Sequence, residues 1–181
     1  MYQIVGKRLG AALLLFGSVV LMTGAASADP QSSEGILPSA FGEDVDRDVE
    51  RVRKATETFK SLDKAAAAGY TPDIAHCVDN PPHGAMGYHH DNPALMDARL
   101  DVKRPEILVY ERLPGGEYRL NGVEYIVPLS AWKRDEPPRI MGQSLKRAES
   151  LGIWYLHVWV WHANPNGLFA DWNPDVKCGE T

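Results

Sequence analysis

From residue 44 onward the apolar positions fall into two rhythms. Val45, Val49, Val52, Phe59, Leu62 and Ala66 recur at steps of three, four or seven, which lays one apolar stripe along a helix. Acidic residues crowd its start (Glu43, Asp44, Asp46, Asp48), Lys60 and Lys64 lie toward its end, and Gly69 followed by Pro72 supplies a stop. The spacing predicts one long amphipathic helix over residues 44–68, whose stripe needs a sheet to cover. Beyond it the rhythm shortens to two. The stretches GAMGYHH (84–90), PEILVYER (105–112), NGVEYIVP (121–128) and WYLHVWVWH (154–162) read as strands. The PGGE turn at 114–117 joins the second and third as an antiparallel hairpin. The connection of about 25 residues before the last strand is expected to carry a short helix near 143–149. The class is therefore α+β: one long amphipathic helix packed on a mostly antiparallel sheet of four or more strands.

Alternation assigns faces within the strands. In the last one, Tyr155, His157, Trp159 and Trp161 share one side, while Leu156, Val158, Val160 and His162 share the other. In the third, Glu124 lies with Gly122 and Ile126, opposite Val123, Tyr125 and Val127. The helix stripe of Val49, Val52, Phe59 and Leu62 is expected to pack on the aliphatic side of the last strand. One side of the sheet is then plain core, and the other is aromatic with an imidazole in its middle.

The chain opens differently. Lys7 and Arg8 form a basic start, residues 9–22 an apolar run, and Ala26-Ser27-Ala28 a small-residue exit, the order of an export signal cleaved after residue 28. A retained membrane anchor is the competing reading. Gly10, Gly17, Gly24 and the alanine-rich exit favour cleavage and no stable membrane insertion afterwards. Residues 29–43, rich in Pro, Ser and Gly, read as a flexible lead-in, and residues 44–181 as a single domain able to bury a core. The formal net charge is −5, and the signal segment holds two of the basic residues and no acidic one. The exported part is thus more acidic still, with nothing basic to hold nucleic acid or an anionic membrane. A secreted or periplasmic location follows.

That compartment changes the reading of the two cysteines. In an oxidising environment Cys77 and Cys178 are most simply a disulfide, worth about 4–5 kcal/mol in the chain-entropy account for a loop of about 100 residues. The alternative makes Cys77 and His76 a metal-ligand pair.

The segments GAMGYH, PEILVYER, GVEYIVP and LHVWVWHANPNGLFADWNP, with the helix end AAAAGY and the cysteine pair, resemble an uncharacterised family of exported bacterial proteins with no established activity. The resemblance spans most of the exported chain. It implies histidine at the positions of His89 and His157, and more variable residues at those of His90 and His162.

All six histidines fall in two groups: His76, His83, His89 and His90, then His157 and His162. Neutral imidazole is the commonest metal ligand near neutral pH. His157 stands out because it interrupts an apolar strand, where burial demands a partner. Glu124 stands out for the same reason. Either it faces water on an edge strand, or it is paired or bound to a cation. If the neighbouring strands bring them together, His89, Glu124 and His157 form a two-imidazole, one-carboxylate set suited to a divalent transition metal such as copper, zinc or iron, its binding weakening as pH falls through about 6–7. Tyr155, Trp159 and Trp161 would line a pocket above it for a small apolar ligand or substrate. The alternatives are a metal-free module gripping a flat hydrophobic ligand or haem, and a disulfide-stapled interaction protein. Glu106 and Glu111 sit at strand ends, where charged residues are ordinary. Nucleotide chemistry and triad hydrolysis are set aside, since no GxxxxGK[ST], GxGxxG, GxSxG, HExxH or CxxCH pattern is present.

Overall fold

The computed structural model describes residues 40–178, apart from the side chains of residues 72–76. The segment expected to be an export signal and most of the expected lead-in lie outside the described residues, as does the side chain of His76. The protein is α+β, with a six-stranded antiparallel sheet and a disulfide between Cys77 and Cys178. Among the described residues no helix is long and apolar enough to cross a membrane.

The helical stretch is not one piece. Helix α1 (Glu43–Thr56) buries Val45, Val49, Val52 and Thr56, then tightens into a 3-10 turn over Glu57–Lys60. Ser61 is extended (φ −92°, ψ 118°), and α2 (Leu62–Ala67) restarts beyond it. Two bonds mark the break: the Thr56 hydroxyl donates to Val52 O at 2.8 Å, and the Tyr110 hydroxyl reaches from the sheet to Phe59 O at 2.6 Å. The interruption turns the stripe by one residue. Ala65 is buried where Ala66 was expected, and Ala66 is exposed.

The strands are β1 (Thr71–Asp79), β2 (Ala85–Asp91), β3 (Ile107–Arg112), β4 (Tyr118–Pro128), β5 (Arg139–Ile140), β6 (Gln143–Ser144), β7 (Lys146–Ala148) and β8 (Ile153–Val158). The main sheet runs β1-β2-β3-β4-β8-β7, and every neighbouring pair is antiparallel. The expected hairpin joins β3 to β4, its turn closed by Leu113 N donating to Glu117 O and Gly116 N to Leu113 O. β1 escaped the alternation rule. It holds Pro72, which an edge strand tolerates because that edge needs no amide donor. The helix expected near 143–149 is instead extended chain: β5 and β6 form a small hairpin with Met141 and Gly142 at φ 49° and 69°, and β7 pairs with β8. Two positive φ values are what a two-residue hairpin loop requires.

The sheet has two differently covered sides. On one, α1 and α2 bury Val49, Val52 and Ala65 in a cluster with Leu108, Tyr110, Val123, Tyr125, Val127, Leu156, Val158 and Val160, and Phe59 and Leu62 pack half-buried at its border. The expected helix-on-sheet core is there. On the other side, Ile107, Val109 and Ile126 pack with Tyr155 and Met96, while Trp159 packs with Ala85 and Val176. The C-terminal segment supplies this cover. Ala85 and Asn173 exchange two backbone hydrogen bonds at 3.1 Å, and Gly84 (φ 102°) lets the segment approach so closely that a Cβ there would stand 2.0 Å from Asn173 O. The disulfide ties the end of this cover to β1 across a separation of 101 residues.

Candidate functional site

Register on the second side brings three of the predicted site residues together. Glu124 of β4 is the cross-strand partner of His157 of β8, and Ile107 of β3 pairs with Glu124 from the other flank. His89 of β2 pairs with Val109, which in turn pairs with Gly122, so its ring leans diagonally over β3 toward β4. His89 Nε2 comes within 3.3 Å of Glu124 Oε2. Gly122 matters here: a Cβ on it would stand only 2.6 Å from Val158 O, so its lack of a side chain lets the β8 backbone come close beside the His157 ring, whose Cε1 would lie at an ordinary contact distance of 3.5 Å.

Glu124 is 6% exposed and His157 is 0% exposed. Burial by itself would raise the Glu124 carboxyl, but the hydrogen bond with His89 and the neighbouring imidazoles outweigh it, and the group is held below its usual range. Burial pushes His157 the other way, down to about 4, against the opposing pull of Glu124. At neutral pH the pair is therefore a carboxylate beside a neutral imidazole. Among the described residues, neither Nδ1 nor Nε2 of His157 has a hydrogen-bond partner. Buried polar atoms in folded proteins rarely stand so.

Around this centre stand Asp171 and Lys146, which the alternation rule did not single out, together with Tyr155 and Trp159, which it did. Asp171, in the DWNP turn, takes the Lys146 ammonium at 2.5 Å and the Tyr155 hydroxyl at 3.4 Å. Both Asp171 and Lys146 act on the charge balance of His157. Trp159 packs against His157 with ring centroids 4.5 Å apart and planes tilted by 44°, donates from Nε1 to Ala170 O at 2.7 Å, and is 1% exposed. It is a packed wall of the site.

Trp161 is elsewhere. The strand was expected to run to residue 162 but stops at Val158, because the amides of Trp161 and His162 both donate to Asn121 O at 2.9 Å and turn the chain. Trp161 consequently crosses to the helical side, where its Nε1 donates to Thr56 Oγ1 at 3.1 Å and both Arg53 and Lys60 lie over its ring. It is not a wall of the His157 site. The same turn sets His162 beside Arg119 (3.3 Å) and Glu111 (3.6 Å).

His90, next to His89 but on the opposite face, is buried against the Tyr110 and Tyr118 rings, and His83 is exposed on a turn. Cys77 is committed to the disulfide. Glu106 and Glu111 correct the reading of ordinary strand-end charges: they are 1% and 5% exposed. Glu111 is held by Arg119 and by Asn121 Nδ2 at 3.0 Å. Among the described residues no three His, Cys, Asp or Glu side chains stand as a ready-made metal cage. Compared with known proteins, the chain matches no family model, no curated protein and no solved structure.

Proposed function

We propose that this is an exported protein that binds one divalent transition metal ion through His89, His157 and Glu124. The observation that carries the reading is His157: a fully buried, neutral imidazole with neither nitrogen engaged among the described residues, cross-strand from a buried carboxylate that already holds a second imidazole. A buried unpartnered polar group costs about 1–3 kcal/mol, which a ligand on either nitrogen recovers. The strands hold the three backbones in place, and side-chain rotation brings the donors onto one ion. Two imidazoles and a carboxylate suit copper(II), zinc or iron(II), with copper(II) bound most tightly on general affinity order. Tyr155 and Trp159 form the aromatic surround against which a small apolar substrate would lie. The basic, apolar and small-residue order of residues 1–28 supports export to the periplasm or beyond.

Calorimetric titration of metal-free protein with zinc, copper(II) and iron(II) tests the reading. One equivalent is expected to bind, and His157→Leu or His89→Ala to abolish binding with the circular dichroism spectrum unchanged. Because burial holds His157 near 4, proton competition at that ring begins well below the 6–7 range of an exposed histidine. Failure of all three metals to bind, or wild-type binding by His157→Leu, overturns the proposal in favour of a metal-free binding module.

A further inference from the structure

A second buried carboxyl lies outside that site. Glu106 immediately precedes β3, and its Oε2 accepts the Ile126 amide at 3.0 Å. It also lines a cavity of about 180 Å³ whose other polar residues are Asp97, Arg99, Asp101 and Arg104. A wider cleft of about 700 Å³ shares Arg99, Asp101 and Arg104 and adds Arg51 and Lys103. The two aspartates are occupied in shaping the loop: Asp97 Oδ1 accepts the Arg99 amide at 2.6 Å, and Asp101 Oδ1 accepts the Lys103 amide at 2.9 Å. Among the described residues, the Arg99 and Arg104 guanidinium groups make no ion pair. A buried carboxyl and two exposed guanidinium groups therefore line one cavity, beside the two loop-shaping aspartates. It is smaller than the roughly 300–1,000 Å³ of sites for drug-sized ligands.

We propose that the cavity binds a small zwitterion of the α-amino acid class, its ammonium against Glu106 and its carboxylate against Arg99 and Arg104. A planar guanidinium fork matches a carboxylate in two parallel hydrogen bonds. The ammonium needs the complementary charge. Burial raises Glu106 to about 8, against the Ile126 amide and its own backbone amide, with Asp97 adding to the rise and Arg104 opposing it. The remaining titratable neighbours, Tyr70 and Tyr125 behind it, are themselves raised by burial and stay neutral through this range. In the free protein at pH 7 the carboxyl is therefore mostly protonated. An arriving ammonium keeps its three protons, Glu106 releases its own to solvent, and a buried ion pair replaces a buried acid. Uptake accordingly releases close to one proton per ligand at pH 7 and none well above pH 8.

The test is a ¹⁵N NMR titration of the whole exported protein with glycine, L-alanine and L-leucine, beside acetate and methylamine as single-ended probes. At least one amino acid is expected to shift the amides of residues 94–106 and Ile126 saturably, with Kd at or below about 1 mM, and each single-ended probe to bind at least tenfold more weakly. Calorimetry at pH 7 in buffers of different ionisation enthalpy is expected to read the proton release. Glu106→Gln keeps an acceptor for the Ile126 amide, so it should leave the fold intact, weaken amino-acid binding at least tenfold and remove the proton release. Arg99→Gln and Arg104→Gln, on exposed positions, provide the same check should Glu106→Gln fail to fold. Acetate binding as tightly as the amino acids, wild-type affinity in these variants, or no saturable shift with any amino acid overturns the proposal. None of these readouts depends on metal.

Discussion

The two faces of β4 are buried to nearly the same depth and built on opposite terms. Toward the helices, Val123, Tyr125 and Val127 enter a continuous apolar cluster, and the tyrosines around them discharge their hydroxyls on backbone carbonyls: Tyr125 on Val102 at 2.7 Å, Tyr110 on Phe59 at 2.6 Å, Tyr70 on Pro105 at 2.8 Å. Toward the C-terminal cover, Gly122 and Glu124 alternate with them and meet His89 and His157, where a charge is buried and an imidazole keeps both nitrogens unengaged among the described residues. Elsewhere among the described residues, His90 Nε2 on the helical face and Asn121 Oδ1 are each buried without a partner, one atom apiece against two in His157. Burial by itself therefore does not mark a site. Burial with unmet hydrogen-bonding capacity beside a charge does.

Neighbouring residues of β8 give the sharpest way to break that contrast. Leu156→Ala, on the helical face, is expected to cost about 2–5 kcal/mol. His157→Leu, on the other, should be close to neutral or stabilising, because it removes buried polar atoms without opening a cavity. Denaturant unfolding of both variants decides it. An equal loss in each would make His157 ordinary core.

The covers differ as well, since helices close one face and a disulfide-anchored segment the other. Replacing Cys77 and Cys178 together by Ser is expected to cost about 2–5 kcal/mol. The loss should appear first as faster hydrogen exchange at Trp159 and Asn173, while Val52 keeps its protection. Uniform loss of protection would show that the C-terminal cover is not a separate unit.

The pH dependence of stability sharpens the comparison, because a buried base, His157, and a buried acid, Glu106, pull in opposite directions. Between about 4 and 6.5 the unfolded chain binds the His157 proton and the folded chain does not, so this group makes stability rise with pH. Glu106 keeps its proton in the folded chain up to about 8 and loses it near 4.5 when unfolded, so it makes stability fall from 4.5 to 8. The slopes oppose each other from 4.5 to 6.5. Glu106→Gln should expose a stability that climbs more steeply over that window and no longer falls toward pH 8. Superimposable wild-type and variant profiles would sink the assignment.

The smallest effect is expected at Trp161. Losing its bond to Thr56 in Trp161→Phe should cost about 0.5–1.5 kcal/mol and leave metal binding unchanged. A change in metal affinity would return Trp161 to the His157 site.

What local pattern determines in this protein is considerable. A period of two separates Glu124 and His157 from the aliphatic core, the turn at 114–117 sets a hairpin, and a lone cysteine pair behind a signal-like start reads as a disulfide; each is written in a few adjacent residues or in composition. What tertiary structure decided lies where the pattern ends. Asn121 O captures two amides some forty residues away and so stops β8 at Val158, which sends Trp161 to the other side. The Thr56 and Tyr110 hydroxyls bond at the point where one helix becomes two. Asp171 joins the site because the covering segment is pinned at Asn173 and Cys178. Glu106 and Glu111 are buried by residues that no spacing rule relates to them. Alternation and helical period are properties of the chain's own geometry, which neighbouring residues specify. The depth and partners of a residue at an element's end are set by whichever distant backbone settles over it, and that choice is made only when the whole sheet closes.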